Sequence, residues 1–337
     1  MAYNKRRYEE NHVYESCLRT RDGLPFACIE ILNILLLGIM ARANRDQKVK
    51  LCHFVWLGNH VHILLIAIDP KALSLYYGEL MKKTTETWKA LFGLKYLDLW
   101  KKRISVIELV TPEDVEDRIA YFYLNPASAN LVSAIEKYPG LSSWPIFQTI
   151  TNNVDFVYTR PVKWYRYNEL PPLFSKQDLN QSPSPYLLTT LKGFTKETLV
   201  LHPNAWMSSF EITDPEEVKA VNGRITQAVS SQQEVLIAHR ITEGRYVMGV
   251  DQLKREMPTL KGWKSKKNGR RIFVICKNKS LRKQYIAEYK MFCKLCNEAR
   301  QKVLAGIKAV LWPKGAFIPW FQPLLIGSVS PCLVRSG

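Results

Sequence analysis

Two apolar runs, residues 49–57 and 60–68, are separated only by Gly58-Asn59, and this constrains the fold more than any other feature of the chain. A two-residue connection of this composition matches a tight hairpin turn. Both runs therefore read as strands paired antiparallel. Side chains alternate between the two faces of a strand. His60 and His62 then share one face, and Val61 points the other way, toward a core. Two imidazoles on one rigid strand face can hold a divalent metal. Taken alone, such a pair also reads as two half-buried, hydrogen-bonded histidines. Its place just past a tight turn, where side chains project from a sheet end, favours the ligand reading.

The flanking segments extend the pattern. Residues 12–20, His-Val-Tyr-Glu-Ser-Cys-Leu-Arg-Thr, read as a first strand, and residues 21–25 as a turn. Residues 26–45 read as a helix, with Arg42 and Arg45 suited to its C-terminus. Asp69-Pro70 opens a second helix running to about Leu91, and residues 104–110 form a further strand. Thr111-Pro-Glu-Asp starts a third helix, with Thr as N-cap, Pro in the first position and acids in the first turn. That helix should end near Pro126. The order β-α-β-β-α-β-α predicts an α+β fold, a small antiparallel sheet with helices on one face.

Composition shifts after residue 150. Pro161, Pro171, Pro172, Pro183 and Pro185 suggest a linker or extended wrap over 151–185. The remainder, 186–337, reads as a basic, mainly helical C-terminal region, helical over 215–241 and 279–305 with a strand at 271–276. Its residues 254–283 are dense in cations, including Lys264, Lys266, Lys267, Arg270 and Arg271, with only Glu256 opposing them inside the block. The whole chain carries a net charge of +18. Such an excess favours nucleic acid or an anionic surface as partner, and sixteen Tyr and nine Trp offer surfaces on which single-stranded bases could stack.

Seven cysteines without a regular framework read as reduced thiols of a cytoplasmic protein. Cys293-Lys-Leu-Cys296 has no second pair at zinc-finger spacing, so it reads as two helix-borne thiols. The polar N-terminus gives no secretory signal. Residues 26–43 carry Glu30 and Asn33 and fall short of the roughly 20 apolar residues a membrane span needs. A buried core helix is expected there.

The third helix supplies the remaining chemistry. Val115, Ile119 and Phe122 form an apolar stripe. Tyr123 falls near that stripe. Tyr121 lies off it, on the face of Asp114, Asp117, Arg118 and Asn125, and is the better candidate for an exposed nucleophile. Asn125, four residues on, can add a carboxamide ligand to the histidine pair. Imidazole with carboxamide oxygen suits Mg²⁺ or Mn²⁺ better than structural zinc. Lys101, Lys102 and Arg103 read either as phosphate contacts or as an ordinary solvated charge run.

Four segments together resemble the HUH single-tyrosine transposases, in particular the REP-associated tyrosine transposases. They are His12-Val-Tyr-Glu-Ser-Cys-Leu-Arg-Thr20, Asn59-His-Val-His-Ile-Leu-Leu65, Leu99-Trp-Lys-Lys-Arg103 and Tyr121-Phe-Tyr-Leu-Asn-Pro126. Ser142-Ser-Trp144 after Tyr138 is similar to a fifth family segment. The resemblance covers about residues 10–150. It departs at Leu57-Gly58, where the family often has Met-Pro, a change that alters the turn and removes no ligand. It implies a ferredoxin-like HUH domain over 1–150 and a partner of single-stranded DNA with hairpin structure. It also implies a metal held by His60, His62 and Asn125, and attack by Tyr121 to give a 5′-phosphotyrosine link that a DNA 3′-OH later resolves. Energy kept in that link makes an ATP site unnecessary, and the chain has no Gly-x-x-x-x-Gly-Lys motif. Two other classes stay open: a non-catalytic or host-adopted nucleic-acid-binding protein, and a replication-initiator-type HUH nickase. A His-x-His metal hydrolase would need a third histidine or carboxylate that the pattern does not offer. Oligomeric state, monomer or homodimer, is not legible.

Overall fold

The computed structural model describes residues 7–102, 104–150, 152–174, 191, 193–264, 274–307 and 309–316. In chain order the first half holds β1 (Val13–Arg19), α1 (Glu30–Ala43), β2 (Val49–Leu57), β3 (His60–Ala67), α2 (Pro70–Leu91), β4 (Ser105–Leu109), α3 (Pro112–Ser128) and the short α4 (Trp144–Phe147). Then follow β5 (Tyr158–Tyr165), β6 (Phe194–Leu201), α5 (Pro215–Glu243), α6 (Val250–Arg255), β7 (Val274–Ile275) and α7 (Lys279–Leu304). The fold is α+β. Its central sheet runs β2-β3-β1-β4-β7, antiparallel except where β7 joins β4 in parallel.

The β2–β3 hairpin turns at Gly58-Asn59 and pairs Leu57 with His60 and Val55 with His62. On the other side of β3, Arg19 and Cys17 of β1 face His60 and His62. Directly paired residues point to the same face, so His60, His62, Cys17 and Arg19 share one. Helices cover both faces of the sheet rather than one. Tyr14, Leu18, Phe54, Trp56, Val61 and Ile63 pack against α1 and α2. On the histidine face, Val13, Val55, Leu64 and Ile107 pack against α3, and Val218, Val221, Ile225 and Val229 of α5 extend that core. The reason is compositional: both parities of β2 and β3 are apolar, so both faces need a cover.

α1 is apolar almost all round because it is enclosed, with the sheet on one side and the β5–β6 ladder on the other. Among the described residues no helix is long and apolar enough to cross a membrane. Within 151–185, read above as a linker or wrap, the described residues hold β5, which lies against α1. At Gly38 of α1 the approach is so close that a Cβ would sit 2.2 Å from the Lys163 carbonyl oxygen. Ala normally improves a helix interior by roughly 1 kcal/mol over Gly, but a clash with backbone should outweigh it. Gly38→Ala is expected to lower stability by about 1–3 kcal/mol, read as a lower urea midpoint at unchanged slope.

α3 starts as its sequence suggests, with Thr111 Oγ1 accepting from the Asp114 amide. It does not stop before Pro126. It carries that proline within its final turn and ends at Ser128. Asp114, placed above on the Tyr121 face, is fully buried and accepts from the Lys277 amide at 2.9 Å. The basic block is also opposed from outside: Lys277 forms an ion pair with Asp117 of α3.

Behind the histidine pair lies a further histidine that the sequence did not single out. His53 Nε2 donates to the Pro203 carbonyl at 2.9 Å, leaving Nδ1 to accept from the Tyr123 hydroxyl at 2.6 Å. Burial holds its pKa down to about 3 despite the carbonyl partner. Because the folded-state value lies below the ordinary one near 6.5, its stabilising share is full at neutral pH. That share falls as the unfolded chain takes up a proton below about pH 6.5. The expected slope is about 1.4 kcal/mol per pH unit until the folded state also protonates. Urea titrations of the wild-type chain and His53→Gln at pH 7 and 5 check this. Equal losses in the two proteins would show that His53 carries no such share.

Candidate active site

The site forms where β1 and β3 meet the outer turn of α3. His60 donates from Nδ1 to the Asn59 side-chain oxygen at 2.7 Å. His62 donates from Nδ1 to the Glu15 carboxylate at 3.1 Å. In this arrangement both rings keep their Nε2 lone pairs, the tautomer a metal ligand needs. Burial, then the neighbouring His62 and Arg19, push the His60 pKa down to about 2. At neutral pH His60 is therefore uncharged and able to ligate. The two ring centroids are 5.0 Å apart.

α3 brings the other two candidates to the same place. Asn125 sets its carboxamide 3.4 Å from His62 Nε2. Its nitrogen faces the ring, and a half-turn of the amide presents the oxygen instead. Tyr121 lies edge-on to His62 at 5.6 Å between centroids and is 44% exposed. Tyr123 is 1% exposed, bonded to His53 and within 3.1 Å of the Ser143 hydroxyl, and burial pushes its pKa well up. A helix of 3.6 residues per turn separates the two tyrosines by about 200°, which puts one in solvent and the other in the core.

Two further residues complete the arrangement, and sequence reading assigned neither a role. Arg118 lays its guanidinium 4.2 Å from the centre of the Tyr121 ring and donates to Glu15 at 2.5 Å. Glu15 is buried between Arg118 and His62, and although burial opposes it, those two partners hold its pKa below the ordinary range. A carboxylate inside the apolar strand Val13–Arg19, in phase with Arg19, was the available signal for Glu15.

Lys101 and Lys102 lie near the His60 end of the sheet, where the Lys101 amide donates to the Arg19 carbonyl at 2.9 Å. Lys102 is exposed, and so is Lys264. Arg103, Lys266, Lys267, Arg270 and Arg271 lie outside the described residues. Ser143, from the segment likened above to a family motif, accepts from the Phe54 amide and ties 138–144 to the β2 edge. Among the described residues, no group of three or more His, Cys, Asp or Glu side chains could hold a metal ion. The donors that remain, two imidazoles and one carboxamide oxygen, fit a hard divalent cation that keeps open positions for water and phosphate.

No family model matches the chain, and no curated protein matches it. Among solved structures it is similar to a REP-associated tyrosine transposase bound to a REP hairpin, at 18% identity and a TM-score of 0.37 over 44% of this chain and 86% of that one. So distant a likeness leaves function to rest on the residues themselves.

Proposed function

We propose that this protein is a metal-dependent single-strand DNA endonuclease and strand transferase acting through Tyr121. One observation carries the reading: an exposed tyrosine packs edge-on to the second of two paired histidines whose Nδ1 atoms are each engaged by a protein oxygen, which leaves Nε2 as the ligating atom. His60, His62 and Asn125 would hold Mg²⁺ or Mn²⁺. That ion, when bound, supplies Lewis-acid polarisation of a phosphate oxygen. The Tyr121 oxygen attacks the scissile phosphorus. The Tyr–O–P bond forms as the P–O3′ bond breaks, the departing 3′-oxygen takes a proton, and the phenolic proton leaves to solvent. The strand end stays linked to Tyr121 as a 5′-phosphotyrosine, and attack by a DNA 3′-OH reverses the exchange and rejoins strands. Lys101, Lys102 and Arg103 would contact the backbone beside the site. The protein would work in the cytoplasm, at DNA.

The test is a panel of labelled single-stranded and hairpin DNAs incubated with the chain and Mn²⁺, then resolved on a denaturing gel. A covalent adduct on Tyr121 supports the reading. Binding without any adduct would instead identify a non-catalytic nucleic-acid-binding protein.

The basic block should add affinity without choosing the cleavage site, because cations on phosphates position a strand and do not read its sequence. Neutralising Lys264, Lys266, Lys267, Arg270 and Arg271 together is expected to weaken binding to all DNAs. It should also flatten the salt dependence, by about 0.7–0.9 in the slope of log K against log salt for each phosphate that is no longer neutralised. Salt-titrated fluorescence anisotropy measures both, and an unchanged slope would mark the block as solvated surface.

A further inference from the structure

From the geometry we infer that Glu15 is a positioning residue that couples the metal-binding histidine to the nucleophile; the inference rests on the function proposed above. Glu15 is 1% exposed, and its Oε1 accepts from both His62 Nδ1, at 3.1 Å, and Arg118 Nη2, at 2.5 Å. Those two partners both contact the Tyr121 ring: His62 edge-on at 5.6 Å, Arg118 over the face at 4.2 Å. One carboxylate oxygen therefore anchors both groups that fix the phenol. No other acidic side chain among the described residues bonds to either His62 or Arg118.

A buried charge is retained only at a cost, and a hydrophobic residue of similar volume is often as stable. A purely structural role would leave Glu15 replaceable. Its geometry serves function in two ways. As an acceptor from Nδ1–H it keeps His62 in the tautomer whose Nε2 can ligate, and such partners are typically worth 10–100-fold in metal affinity. As the anchor of Arg118 it holds a flexible side chain over the Tyr121 ring. The ring is then confined on two sides beside His62, which restricts the directions in which the phenolic oxygen can point. Pre-positioning of a reacting group is a large source of rate. Oε2 of Glu15 and Nε of Arg118 make no further hydrogen bonds within the described protein, so the two named bonds carry the link.

The coupling makes a pattern of effects that packing alone would not. Glu15→Gln removes the charge at nearly constant shape. It should weaken Mn²⁺ binding to the DNA-free chain about 10–100-fold, measured by isothermal titration, and slow adduct formation at saturating DNA and metal. Arg118→Gln leaves the Glu15–His62 bond in place. It should slow adduct formation with Mn²⁺ affinity within about threefold of wild type, a split that a general loss of structure would not give. In Glu15→Gln/Arg118→Gln the slowing should be smaller than the product of the single effects, since both break one link. Wild-type Mn²⁺ affinity in Glu15→Gln, or multiplicative slowing in the double variant, would overturn the coupling while the wild-type adduct keeps the proposed function standing. A wild-type chain that neither binds Mn²⁺ nor forms an adduct would overturn both.

Discussion

Tyr121→Phe should abolish covalent attachment to DNA while leaving DNA binding within about twofold of wild type. The substitution removes the attacking oxygen and nothing else that the structure uses: the ring keeps its edge contact with His62 and its place under Arg118. Tyr123, two residues on, points into the core, where its oxygen is committed to His53. Tyr123→Phe should accordingly retain the adduct. Its cost should appear as stability instead, since His53 Nδ1 would be left buried and unsatisfied, a loss of about 1–3 kcal/mol. Labelled DNA on a denaturing gel and a urea melt separate the two outcomes. A normal adduct in Tyr121→Phe, or its loss only in Tyr123→Phe, would reverse the assignment.

His60→Ala and His62→Ala should each lose more than about 100-fold in Mn²⁺-dependent cleavage, since even the orienting partners of metal ligands are worth 10–100-fold. The two variants should differ in stability. His60 is partly exposed at the sheet end, whereas His62 is buried against Glu15, and its removal takes one of two partners from a buried carboxylate. Asn125→Ala should lose less, about tenfold, because water can replace a neutral ligand at the edge of the site. Chelation should abolish cleavage in the wild-type chain, and added Mn²⁺ should restore it. Full-rate cleavage after chelation would make the histidines structural and leave Tyr121 to act without a bound cation.

Local order was open to sequence reading wherever neighbours along the chain decide conformation. The hairpin at Gly58-Asn59, the Thr111 cap of α3 and the opposite phases of Tyr121 and Tyr123 follow from turn chemistry, capping and helical period. So does the placing of His60 and His62 on one face, because strand alternation is indifferent to what lies across it. The end of α3 near Pro126 follows likewise, since the helix closes at Ser128, two residues beyond the proline.

Relations between residues far apart in the chain follow from long-range packing instead. Helices cover both sheet faces because β2 and β3 are apolar on both sides, yet which helix goes where depends on long-range packing. Lys277 of the C-terminal block meets Asp117 of α3, an acid from outside the block. Glu15 and Arg118 lie 103 residues apart, and each alone looks like an ordinary charged residue. Only when β1 pairs with β3 and α3 crosses that face does a buried carboxylate find both a histidine and an arginine within reach. Local chain order sets which side chains face together on each element. The fold decided which faces meet, because the free energy of that meeting comes from burial and pairing between surfaces that no local pattern specifies.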